Sequence, residues 1–133
     1  MMRAMSAESV RGLVLGSRME CSDNTGAKVV YIISVFGQKT VRRQIPSAGI
    51  GDLINVIVLK GKPEMMRKKF KAVIIRSVIG MRRANGTRVK FDGNACVIVD
   101  DDGVPKSTEV KGVVPKEVGE RFPKVLGRAA YVI

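Results

Sequence analysis

Histidine and tryptophan are absent from this chain, and cysteine occurs only twice. Without histidine, the side chain most often used for proton transfer near neutral pH and for binding transition metals is missing. Cys21 and Cys96 lie far apart and form no C-x-x-C pair, so a zinc site is not expected, and nothing implies a metal or cofactor. No nucleophile motif or carboxylate pair stands in for them, which argues against an enzyme, including one acting on RNA. Aromatic residues make up only 5% of the chain. They are Tyr31, Phe36, Phe70, Phe91, Phe122 and Tyr131; most fall in apolar strands and read as core, as does Cys96, so single-strand recognition by base stacking finds little support. No run approaches the roughly 18 apolar residues of a membrane span. The first 16 residues lack the apolar stretch and cleavage site of a signal peptide, so the chain reads as cytosolic.

Positive charge is what the sequence has in excess. Its 24 Lys and Arg stand against 12 Asp and Glu, a net of +12. Such an excess repels itself unless a polyanion neutralises it, most often nucleic acid and less often an anionic membrane surface. The charge is unevenly placed. Residues 1–59 carry a net of +3, residues 60–90 a net of +10 with Glu64 the only acid, and residues 91–133 a net of −1. A phosphate-binding face requires that concentration; mere solubility does not. Lys60, Lys62, Arg67, Lys68, Lys69, Lys71, Arg82, Arg83, Arg88 and Lys90 are therefore the central candidates for RNA contact. Lys28, Lys39, Arg42, Arg43 and Asn94 join them. For residues 64–71, a solvated charged loop is the bland alternative, and an amphipathic membrane segment would be too short to bind alone.

Strand signals dominate the chain. Residues 28–35, 53–59, 72–79 and 95–99 are short runs rich in β-branched residues, with Gly, Pro, Asn and Asp clusters between them. Asn85-Gly86 between two alternating segments predicts a hairpin with a type I′ turn. The expected architecture is all-β, a small barrel or sandwich in one domain spanning residues 1–133. One or two helical turns are expected within residues 118–126, and residues 65–70 also have helical propensity. Asp100-Asp101-Asp102-Gly103 lacks the spacing of a calcium loop and reads as an acidic turn. Ala48 to Asp52 lacks the third glycine of a dinucleotide loop and reads as a turn entering the next strand. The last third mixes both charges with apolar residues, which suits protein contact. Thr108, Glu109, Lys116, Glu117, Arg121 and Lys124 are its candidate interface residues.

The stretch from Ala72 to Ile98 resembles the signature of the universal large-subunit ribosomal protein family numbered fourteen. It has a small residue followed by Val73-Ile74-Ile75, then Asn85-Gly86, Phe91, Asn94 and Val97-Ile98 at the family's spacing. Cys21 to Lys28 resembles the family's first turn and Ala48 to Asp52 its second. The resemblance extends from about Leu13 to Ile133. Lys60-Gly-Lys-Pro-Glu64, Arg67-Lys-Lys69 and an N-terminal extension over residues 1–12 resemble archaeal and eukaryotic members; bacterial members carry Thr-Arg where this chain has Thr108-Glu109. The resemblance implies a closed five-stranded barrel, a projecting β-ribbon and a C-terminal segment with helical turns. It implies a structural role in the large ribosomal subunit, binding to large-subunit rRNA, and a bridge to small-subunit rRNA. The partners it implies are the third large-subunit protein, the archaeal relative of the eukaryotic twenty-fourth, and the anti-association initiation factor six. A free RNA-binding factor with an oligonucleotide-binding-type barrel is the alternative. That alternative calls for exposed aromatics on the strands, of which this sequence offers few.

Overall fold

A computed structural model describes residues 4–37 and 42–133. In chain order the elements are β1 (Glu8–Ser9), β2 (Leu13–Val14), β3 (Arg18–Cys21), β4 (Ala27–Val35), β5 (Ser47–Ala48), β6 (Leu53–Gly61) and β7 (Lys69–Arg76). Then follow β8 (Met81–Arg82), β9 (Arg88–Val89), β10 (Ala95–Val99), β11 (Val110–Val114), α1 (Val118–Arg121), α2 (Pro123–Gly127) and β12 (Ala129–Val132). The expected five-stranded barrel is present and closed, in the order β10-β3-β4-β6-β7, with β7 returning to β10. Every junction is antiparallel except the one between β3 and β10. That parallel seam is short, matching only Ala95 with Glu20 and Cys96 with Cys21.

The strand residues explain the barrel. Along β6, Ile54, Val56 and Val58 are fully buried and alternate with half-exposed neighbours, the period-two pattern of a strand with one face inward. β10 departs from alternation, with all five residues from Ala95 to Val99 buried. Val110, Val114, Val118, Phe122 and Val125 of the C-terminal segment belong to the same apolar cluster, so β10 is apolar on both sides because both are covered. Burying each of these Val and Ile side chains favours the fold by about 1.5–3 kcal/mol before entropy is counted.

Sequence and structure differ at several points. Residues 72–79 read as a strand, yet β7 begins at Lys69 and ends at Arg76. β3, with the charged sequence Arg-Met-Glu-Cys, was not legible; only Met19 on it is buried. The helical propensity of residues 65–70 goes unused, because the segment is the turn that returns β6 to β7 and Lys69-Phe70 already belong to a strand. Helical turns do form near the C-terminus, where Pro123 starts α2 at a position that needs no amide donor. Among the aromatics only Phe122 is buried. Tyr31, Phe36, Phe70 and Phe91 are half-buried, and Tyr131 is 69% exposed, because β12 lies beside β11 outside the barrel.

The hairpin at Asn85-Gly86 forms, with Met81 opposite Val89 and Arg82 opposite Arg88. Its turn is not type I′. Gly86 donates to the Arg83 carbonyl (3.0 Å) and Arg83 to the Thr87 carbonyl (2.8 Å). Gly86 has φ +89, whereas Asn85 has no positive φ. This is a type I turn closed by a left-handed glycine, a three-residue loop. Asn85 accepts from the Thr87 amide at 2.9 Å instead of turning left-handed.

Candidate nucleic-acid interface

Two groups of basic residues emerge, on separate sheets. The first lies at one end of the barrel, around the turn joining β6 and β7. Lys60 stands at the end of β6 and Lys62, Arg67 and Lys68 on the turn, all exposed, with Lys69 exposed at the start of β7. Arg67 adopts φ +61 while donating its amide to the Val58 carbonyl, so a hydrogen bond holds the turn in a conformation unusual for arginine. Lys28 joins from β4, whose end pairs with the end of β6. The preceding turn is tied by Asp23. Its buried carboxylate accepts from the Thr25 hydroxyl (2.6 Å), the Thr25 amide and the Ile98 amide. Lys28, Lys62 and Lys111 surround a recess of about 300 Å³ floored by this turn. Lys111 was missed because it belongs to the part of the sequence with net negative charge; only packing of β11 against the barrel brings it here.

The second group is on the β-ribbon. Arg82 and Arg88 are direct cross-strand partners, both exposed. Like charges in that position repel. Among the described residues neither has an ion-pair partner, and Lys90 follows, also exposed.

Other expected contacts are partly committed within the protein. Lys71 pairs with Asp101 at 2.8 Å and sits 5.1 Å over the Phe36 ring. That contact holds the Asp101 carboxyl below the usual range, first by hydrogen bonding and then by charge. The Asn94 side-chain oxygen accepts from the Val78 amide at 3.0 Å. Arg83 is engaged within the protein: its side chain is only 16% exposed, its Nε lies 3.0 Å from Glu117 Oε1, and its Nη2 donates to the Ile133 carbonyl at 2.6 Å. Arg42 and Arg43 are exposed, while Lys39 lies outside the described residues.

The candidate protein interface divides similarly. Thr108, Glu109, Lys116 and Lys124 are exposed, and Thr108 accepts from the Asn24 side-chain amide at 2.9 Å. Glu117 is buried against Arg83. Arg121 turns inward, donating to Asp52 (3.1 Å) and the Gly51 carbonyl (3.2 Å). It thereby ties α1 to the Ala48–Asp52 turn, whose Asp52 also accepts from the Gly49 amide. No group of three or more Cys, Asp or Glu among the described residues could hold a metal.

Residues 12–133 match the family model described as ribosomal protein L14p/L23e. A large ribosomal subunit protein uL14 of Methanoregula boonei is 50% identical over 132 residues, covering 99% of each chain. The uL14 proteins of Methanocorpusculum labreanum and Halobacterium salinarum are 46% and 45% identical, each over 99% of this chain and 100% of the relative. This closed β-barrel chain therefore belongs to the L14p/L23e family, in its archaeal form, and is a constituent of the large subunit of the cytoplasmic ribosome.

Proposed function

We propose that the protein serves as a non-catalytic, one-domain clamp on rRNA, with its two basic groups as the gripping surfaces. The observation that carries this reading is the Arg82–Arg88 rung, two exposed guanidinium groups held as cross-strand partners, neither in an ion pair among the described residues, with Glu8 of β1 the one acid in register beside Arg82. A phosphate between them converts repulsion into two charge-assisted contacts. The barrel-end group of Lys28, Lys60, Lys62, Arg67, Lys68 and Lys69 supplies the larger field, with Arg42 and Arg43 from the loop before β5. Recognition here is by charge and shape of folded RNA. Because the two groups lie on separate sheets, they suit two RNA surfaces, large-subunit rRNA and small-subunit rRNA at an intersubunit bridge.

The C-terminal segment serves protein contact. Tyr131, Val132 and Ile133 are exposed apolar residues beside Lys116 and near the ribbon, a mixture that suits protein better than phosphate. The partners proposed for this region are a neighbouring ribosomal protein, the third large-subunit protein or the archaeal relative of the eukaryotic twenty-fourth, and the anti-association initiation factor six.

Binding of the purified protein to large-subunit rRNA, measured across a potassium chloride series, tests the proposal. If about six phosphates are neutralised, the log–log slope should be roughly −4 to −5. A slope near zero would overturn it.

A further inference from the structure

The barrel's parallel seam holds the chain's two cysteines side by side. Cys21 on β3 and Cys96 on β10 are register partners on adjacent strands, and the Cys21 thiol donates to the Asp23 carboxylate at 3.2 Å. Neighbouring strands lie about 4.8 Å apart, and disulfides form across Cα separations of roughly 4.4–6.8 Å, so a bond between these sulfurs needs no strand separation.

The two thiols differ in access. Cys21 is half-exposed and opens onto the recess lined by Lys28, Lys62, Lys111 and Asp23, so a small solute can reach its sulfur. Cys96 is fully buried. The adjacent Cys21 thiol, burial and the nearby Asp23 all push its pKa up.

We infer that Cys21 and Cys96 form a peroxide-responsive modification site, in which Cys21 is oxidised first and Cys96 resolves it to an intramolecular disulfide that staples β3 to β10. The Cys21 thiol gives up its proton, its sulfur attacks a hydroperoxide oxygen and the O–O bond breaks, giving a sulfenic acid and, for hydrogen peroxide, a hydroxide that takes up that proton and leaves as one water. The Cys96 sulfur then attacks the sulfenyl sulfur, forms the S–S bond and expels hydroxide, which takes the Cys96 proton and leaves as a second water. Two thiols lose two electrons and the peroxide gains them. The staple falls where the barrel has its shortest ladder.

The test is to treat the folded full-length protein with hydrogen peroxide, alkylate it in denaturant, and map its peptides without reductant. The expected product is a monomer about 2 Da lighter, unalkylated at both cysteines, carrying a Cys21–Cys96 peptide that dithiothreitol releases. Its Tm should rise by roughly 5–15 °C over the reduced protein. Cys96→Ser should instead accumulate a dimedone-reactive sulfenic acid at Cys21, and Cys21→Ser should leave Cys96 unoxidised. Over-oxidation of Cys21 with Cys96 still alkylatable, or chains linked in pairs through Cys21, would overturn the inference.

Discussion

Arg83 Nε lies 3.0 Å from Glu117 Oε1, joining the ribbon to the turn that begins α1. The same guanidinium reaches the last residue through the Ile133 carbonyl. Glu117 is 3% exposed, and its second carboxylate oxygen has no hydrogen-bond partner among the described residues. A buried, incompletely satisfied pair makes each partner necessary to the other. Arg83→Met alone should destabilise the protein by about 2–4 kcal/mol in urea denaturation, by leaving Glu117 buried and uncompensated. Combining it with Glu117→Leu should recover much of that loss. The double variant should keep the wild-type salt slope for rRNA binding, and a flattened slope would return Arg83 to the phosphate-contacting set.

Replacing Arg82 and Arg88 by Ala should act in the opposite way. Stability should change by a few tenths of a kcal/mol at most, because removing cross-strand repulsion offsets the lost packing. The salt slope should flatten by about one unit per residue. A double variant with an unchanged slope would remove the ribbon from the RNA-binding surface.

The hairpin turn discriminates between its two central residues. Gly86 carries φ +89 with open space around it, so Gly86→Val meets backbone strain rather than a clash. Asn85 has no positive φ, and Asn85→Asp keeps an oxygen for the Thr87 amide. Gly86→Val should cost about 1–2 kcal/mol and weaken subunit incorporation while leaving the barrel's circular dichroism intact. Asn85→Asp should be nearly neutral. Equal damage from both would indicate a type I′ turn.

Ser6 donates both its amide (2.7 Å) and its hydroxyl (2.6 Å) to Glu120, fastening the N-terminal segment to α1. These bonds hold the Glu120 carboxyl below its ordinary value. With the folded pKa depressed, the contribution is fully present above the unfolded pKa of about 4.3. It is lost as pH falls through the lower, folded value. Carboxyl chemical shifts followed from pH 6 to about pH 2.5 should show Glu120 titrating late, and Ser6→Ala should raise its pKa toward the ordinary value. An unmoved titration would show that Ser6 does not hold the carboxylate.

Charge reversal at Lys116 and Lys124, both exposed, should weaken docking of the anti-association factor on purified large subunits while incorporation of this protein continues. Failed incorporation with normal factor affinity would assign this surface to rRNA or to the core. Glu117 does not belong in that test, because its reversal would break the pair with Arg83.

Much of the barrel was legible in the chain because strands β4, β6 and β10 are apolar runs long enough to reveal a buried face without their neighbours. The concentration of lysine and arginine in residues 60–90 was legible for a similar reason, since the β6–β7 turn and the adjacent ribbon keep those residues close in sequence. β3 was not, because its polar side chains point outward and a single methionine marks its inner face; its strand character comes from pairing with β4 and β10. Tertiary structure alone decided that Lys111 joins the barrel-end cations, that Arg83 and Glu117 neutralise each other, and that Cys21 meets Cys96. Each of these depends on where distant segments pack. Charge and periodicity are local properties of a sequence, whereas the partner of a charge or a thiol is set by closure of the barrel and by the C-terminal segment folding back across it.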